Sequence, residues 1–184
     1  MKYYIVISAH NEEVFISLTL QSLISQTVLP SKIVVVNDNS TDKTAEIVNS
    51  FTSKHPFISL VNKSSEAIHL PGSKVIQAFQ KGLETLDNNY DFIVKADADL
   101  IFPNNYFETI ISHFQSDPKI GMAGGFCYIE KNGDWILENL TDKDHIRGAL
   151  KAYRKETFQQ IGMQHVQVLE GDFKDFVATA VNAT

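Results

Sequence analysis

Three clusters of acids and amides follow directly on short apolar runs, and these are the residues that could do chemistry. The run Tyr4 to Ser8 leads into Ser8-Ala9-His10-Asn11-Glu12-Glu13, and Ile33 to Val36 leads into Asn37-Asp38-Asn39-Ser40-Thr41-Asp42. The run Phe92 to Val94 leads into Lys95-Ala96-Asp97-Ala98-Asp99. In extended backbone, residues i and i+2 point the same way, so Asp97 and Asp99 can present two carboxylates to one side. Such a pair is a hard oxygen site suited to Mg²⁺ or Mn²⁺, with phosphate oxygens completing the shell. An isolated Asp-x-Asp is commonly a solvated acidic turn. Its place after a buried run favours the metal.

Asp38 stands at a strand end, where a carboxylate can accept hydrogen bonds from a ribose hydroxyl or a pyrimidine NH. Ser40, Thr41 or Asp42 can cap the helix that follows. His10 reads as a loop histidine beside a cap, and Lys74 and Lys95 as solvated lysines. There is no Gly-x-Gly-x-x-Gly, no Gly-x-x-x-x-Gly-Lys-Ser/Thr and no Gly-x-Ser-x-Gly, which argues against dinucleotide, phosphate-loop and nucleophile-elbow chemistry.

These clusters need a scaffold. The apolar runs Tyr4 to Ser8, Ile33 to Val36, Phe57 to Val61 and Phe92 to Val94 are mostly β-branched or aromatic, as strands covered on both faces should be. Between them, Ile16, Leu20, Leu23 and Ile24 share one helical face, as do Ala45, Val48 and Phe51, and then Ile76, Phe79, Leu83 and Leu86. A fourth helix is expected from Pro103, with Phe107, Ile110, Ile111 and Phe114 inward. The alternation predicts an α/β fold with a mostly parallel sheet and ligands beyond the carboxyl ends of its strands. After Gly121, an Asn132-Gly133 turn and Trp135 predict a smaller antiparallel part.

Composition narrows the partners. The 184 residues carry a net charge of −6 and no basic run, which argues against nucleic acid. Cys127 is the single cysteine and reads as a small buried hydrophobe. No apolar stretch has the length of a membrane span, and the first residues do not resemble a signal peptide. A cytoplasmic location is expected, with a peripheral membrane contact left open. The oligomeric state is not legible.

With these residues in view, the chain resembles the inverting family 2 glycosyltransferases, which have the GT-A fold. The likeness begins at Ile5-Val6-Ile7-Ser8-Ala9-His10-Asn11-Glu12-Glu13 and continues through Leu20 to Thr27 and Lys32 to Thr44. It passes Ala78-Phe79-Gln80-Lys81-Gly82 and Asp97-Ala98-Asp99, and ends in Arg147 to Lys155, similar to the acceptor-side half. The resemblance implies that Ala9, His10 and Glu12 line a nucleotide pocket and that Asp38 holds base or ribose. It implies Asp97 on ribose or metal, Asp99 on the cation of the diphosphate, and Lys74 near the nucleotide. Gln80 stands where the family commonly has Asn. The family's general base is a later acidic residue. Here the candidates are Asp172 and Asp175 in Glu170-Gly171-Asp172-Phe173-Lys174-Asp175-Phe176, a distorted form of that segment.

The expected organisation is therefore one glycosyltransferase domain over 1–184. Residues 1–100 form its nucleotide-sugar and metal half, and 101–184 an acceptor-side half incomplete at its C-terminal end. The implied donor is a nucleoside-diphosphate sugar, with uridine diphosphate favoured by family frequency. The implied acceptor is a saccharide, glycolipid or other hydroxyl in surface polysaccharide synthesis. A sugar-phosphate nucleotidyltransferase and a non-catalytic sugar-nucleotide binding module are the alternatives.

Overall fold

The computed structural model describes residues 1–64, 73–137, 146 and 148–165. The elements run β1 (Tyr3–Ala9), α1 (Ile16–Ile24), β2 (Lys32–Asp38), α2 (Thr44–Thr52), β3 (Ile58–Lys63), α3 (Ser73–Leu83) and β4 (Phe92–Asp97). They continue with α4 (Tyr106–Ser116), β5 (Met122–Ala123), β6 (Tyr128–Lys131), β7 (Asp134–Leu137), β8 (Leu150–Arg154) and α5 (Lys155–His165). The central sheet has the order β3-β2-β1-β4-β8-β5. Its first four members are parallel, while β8 runs antiparallel to both β4 and β5. The chain steps outward from β1 to β2 and β3, then returns to the other side of β1 as β4. Strand order reverses there, and a crevice must open above the carboxyl ends.

Alternation along the strands feeds two cores. Tyr3, Ile5 and Ile7 of β1 join Phe92, Val94 and Ala96 of β4 under Leu20 and Leu23 of α1 and Phe107, Ile110 and Phe114 of α4. Tyr4, Val6, Val34, Val36, Ile93 and Tyr153 face the other way, under Ala78 and Phe79 of α3 and Phe158 of α5. Each fully buried large apolar side chain contributes about 1.5–3 kcal/mol relative to exposure. Tyr3 adds aromatic stacking, its ring centroid 4.9 Å from Phe92 and 4.8 Å from Phe107, while its hydroxyl donates to the Val28 carbonyl at 2.6 Å.

The expected strands and first three helices are present, with local corrections. The fourth helix begins at Tyr106, not Pro103, because Pro103 lies in a preceding turn whose carbonyl accepts from the Tyr106 amide at 3.0 Å. Gln26 then does the capping, donating to the Pro103 carbonyl at 2.7 Å and accepting from the Phe107 amide at 3.2 Å. Leu86 lies beyond α3 yet packs against the second core. β3 is half exposed because it is the edge strand. Cys127 is partly buried against the main core. The Asn132-Gly133 turn joins β6 to β7 with φ of 57° and 88°, the left-handed pair a tight hairpin turn needs.

Candidate functional site

The loops after β1 and β2 are locked together by reciprocal hydrogen bonds. The Asn11 amide donates to Ser40 Oγ at 3.0 Å, and Asn11 Oδ1 accepts from the Thr41 amide at 2.8 Å. Glu13 Oε2 accepts from the Lys43 amide at 3.0 Å, while the Glu13 amide donates to Asp42 Oδ2 at 3.0 Å. Thr44 Oγ1 accepts from the Glu12 amide at 2.8 Å and donates to Asp42 Oδ1 at 2.6 Å. Desolvation raises the Asp42 carboxyl, but the hydrogen bonds from Thr44 and Glu13 outweigh it and hold the group below its ordinary value. Asn11 and Asn39 turn the chain at φ of 56° and 55°, a conformation asparagine adopts more readily than other side chains. The expected cap is thus Asp42, which accepts from the Thr44 amide at 3.0 Å.

These loops form one wall of a cavity of about 370 Å³ above the carboxyl ends of β1, β2 and β4. Ser8, Ala9, His10 and Glu12 line it from β1, Asp38 and Asn39 from β2, Asp97, Ala98 and Asp99 from β4. Lys74, Val75 and Ala78 of α3 close the remaining side. Every residue expected for nucleotide or metal therefore lines a single crevice. The route for Asp99 differs from expectation. β4 ends at Asp97 and the chain turns at Ala98, so Asp99 reaches the cavity by a turn rather than by strand alternation. Gln80 is exposed and lies away from it. Asp172, Asp175, Glu170 and Arg147 lie outside the described residues.

The cavity is acidic. Burial, then the charges of Asp99, Asp97 and Asp42, push the Glu12 carboxyl above its ordinary value against a smaller opposing effect of His10. Carboxylates crowded this way favour a bound cation. Among the described residues no three His, Cys, Asp or Glu side chains group as a metal cage. Asp97 and Asp99 both line the crevice, two hard oxygen donors of the kind Mg²⁺ and Mn²⁺ accept when waters and phosphate oxygens fill the other positions.

Two lysines lie beside carboxylates of the crevice. Lys95 is buried, not solvated; its Nζ lies 3.3 Å from Asp97 Oδ1 and donates to the Gly148 carbonyl at 2.6 Å. Lys63 of β3 lies 3.5 Å from Asp38 Oδ1, both largely buried. Parallel pairing sets Lys63 directly beside Asp38, so extending the third apolar run by one alternation would have found it.

A mostly parallel sheet whose strand order reverses beside β1, with an acidic crevice at that point, is the architecture in which α/β proteins bind ligands beyond the strand ends. The model of glycosyl transferase family 2 matches residues 4–173, and the chain belongs to that family. It is 34% identical over 127 residues to the probable glycosyltransferase YdaM of Bacillus subtilis (strain 168), which covers 67% of this chain and 29% of that protein. It is 26% identical over 122 residues to poly-beta-1,6-N-acetyl-D-glucosamine synthase of Staphylococcus epidermidis, covering 65% of this chain and 27% of that protein. The chain thus spans under a third of the length of these relatives. Its fold is the GT-A fold of solved glycosyltransferases. The mannosyltransferase PcManGT from Pyrobaculum calidifontis, in complex with GDP-Man and Mn²⁺, superposes with a TM-score of 0.67 at 17% identity, over 98% of this chain and 54% of that one. S. aureus TarS 1-349 in complex with UDP-GlcNAc gives 0.61 at 16% identity, over 100% of this chain and 60% of that one.

Proposed function

We propose that the chain carries the donor-binding machinery of a transferase that moves a sugar from a nucleoside-diphosphate sugar to an acceptor hydroxyl with inversion. One observation carries this reading: Asp38 from β2 and Asp97 and Asp99 from β4 meet His10 and Glu12 of the β1 loop around one crevice. Asp38 holds base or ribose, Ala9, His10 and Glu12 line the nucleoside, and Lys74 faces the nucleotide from α3. Asp97 and Asp99 would hold Mg²⁺ or Mn²⁺. When bound, that ion neutralises the diphosphate as negative charge develops on the leaving group. Uridine diphosphate is the favoured nucleotide, in keeping with the UDP-GlcNAc of the TarS complex.

Transfer also needs a carboxylate to take the proton of the attacking hydroxyl. Asp172 and Asp175 are the candidates. The acceptor is a saccharide or glycolipid hydroxyl, and the setting is the cytoplasm or the inner face of a membrane. Among the described residues no helix is long and apolar enough to cross a membrane.

The test is binding of UDP, GDP and their sugars with and without Mn²⁺, in wild type and Asp99→Asn. Cation-dependent affinity that Asp99→Asn removes, in a variant that melts normally, supports the reading. Equal affinity of both proteins in Mn²⁺ sinks the metal assignment. Release of diphosphate from a nucleoside triphosphate would instead mark a nucleotidyltransferase.

A further inference from the structure

Val94 and Ala96 of β4 face the core under α1 and α4, whereas Ile93 faces the core under α3. Lys95 and Asp97 alternate with the former pair and share the side of Ile93. The antiparallel register sets Ile93 opposite Tyr153 and Lys95 opposite Lys151. An apolar pair therefore gives way, one step toward the crevice, to two buried lysines side by side.

That arrangement is costly. Like charges directly opposite on a sheet repel, and apolar residues often replace buried ionic groups without loss of stability. Packing alone does not call for Lys95. Its ammonium instead spans two pieces of chain that meet at the rim. It lies 3.3 Å from Asp97 Oδ1 and donates to the Gly148 carbonyl at 2.6 Å. The Asp97 amide donates to the neighbouring Ala149 carbonyl at 2.9 Å, so side chain and backbone fasten the same corner. The Lys95 side chain is 7% exposed and that of Asp97 38%. A fixed, buried cation thus holds one oxygen of a carboxylate that opens to the crevice.

We infer that Lys95 is a positioning residue. It orients the Asp97 carboxylate toward a divalent cation and registers that carboxylate against the chain entering β8. The inference rests on the proposed donor and metal reading of the crevice. Two physical roles give opposite signs. A lysine that only competed with the cation would, on removal, leave cation-dependent binding equal or tighter. A positioner would leave it weaker, because Asp97 then samples rotamers that miss the ion.

The measurement is the gain in UDP affinity on adding Mn²⁺, by calorimetry, for wild type, Lys95→Met and Lys95→Arg, with melting curves for each. Lys95→Met should lose about tenfold of that gain, near the 1.4 kcal/mol of one decade. Lys95→Arg, which can still hold Asp97, should recover most of it. A scaffold-only lysine would move the melting temperature and leave the gain unchanged, and that result overturns the inference alone. Wild type with no cation-dependent gain for UDP or GDP overturns it together with the metal assignment of the proposed function. If Lys95→Met melts too low to measure, Lys95→Arg and Lys95→Gln decide: the glutamine must be weaker than the arginine in its Mn²⁺ gain, and equality overturns.

Discussion

His10 Nδ1 lies 2.6 Å from the backbone carbonyl oxygen of Asp38. A carbonyl can only accept, so Nδ1 carries a proton and donates it, while Nε2 lies 3.4 Å from Asn11 Nδ2. This one bond ties the loop after β1 to the end of β2 within the wall that the two loops form. His10→Phe keeps the ring and loses the donor. It should weaken nucleotide binding by about 0.5–1.5 kcal/mol, the net value of one such bond. Fluorescence or calorimetric titration checks it, and unchanged affinity would show that the loops hold without the histidine.

The proposed function puts Asp38 on the nucleoside rather than on the phosphates. Asp38→Ala should therefore weaken uridine and UDP by similar factors, about 1–3 kcal/mol for a lost charged hydrogen bond. A residue that only shaped the turn would lower thermal stability and leave both affinities as they were.

Gly82 sits where α3 crosses the sheet. A Cβ there would overlap Val6 Cγ1 and lie 3.0 Å from Val36 Cγ2, both in the buried core. Gly82→Ala gains helix propensity, but overpacking costs about 1–3 kcal/mol and should win. Chemical denaturation would show a lower midpoint with unchanged slope. A more stable variant would mean that α3 can shift outward.

Acid stability should depend on Asp87. Its carboxylate accepts from Lys32 Nζ at 2.6 Å, from the Tyr4 hydroxyl at 2.6 Å and from the Asn89 amide at 2.9 Å. Lys32, then Tyr4 and Asn89, hold the carboxyl well below its ordinary value of 3.8, and burial followed by the bond to Asp87 pushes the Tyr4 hydroxyl up to about 12. The folded state binds the Asp87 proton more weakly than the unfolded chain does. Its stabilisation is therefore present above the ordinary carboxylate range and fades as pH falls toward the folded value. Melting temperatures of wild type and Asp87→Asn should differ near neutral pH and converge in acid. A constant gap at all pH values would contradict this.

The base is tested by Asp172→Asn and Asp175→Asn. One of them should abolish transfer while leaving donor affinity intact, because the residues proposed to hold the donor all lie before residue 100. Turnover at saturating donor, with a cognate acceptor, reads the difference. Unchanged turnover in both variants would place the base elsewhere.

Much of the fold and most of the crevice are legible in the sequence because they rest on local pattern. Runs such as Tyr3–Ala9 and Lys32–Asp38 are covered on both faces and so read as continuous apolar strands. The residues at or just past the carboxyl end of each strand must then lie at the rim, which brings His10, Asp38 and Asp97 together on pattern alone. Features made by residues far apart in sequence are not legible. Gln26 caps a helix some 80 residues away, and nothing near Pro103 betrays it. Lys95 reads as solvated because periodicity assigns it a face but not a neighbour; the antiparallel strand β8, which buries it, comes some 55 residues later. Lysines are rarely buried unless paired, and the ion pair with Asp97 supplies that exception.

The reversal of strand order beside β1 also fixes when the crevice can exist during synthesis. A nascent chain that has emitted β1, β2 and β3 presents one edge of β1 bare, since β4, its other neighbour, starts only at Phe92. That edge is apolar and unpaired, the kind of surface that joins edge to edge with another chain. The crevice is incomplete at that stage, because Asp97 and Asp99, which line it, have not yet been made. That edge stays open until β4 is made and pairs with it. Ligands added to the medium should raise the stability of the finished protein without rescuing fragments that stop before β4.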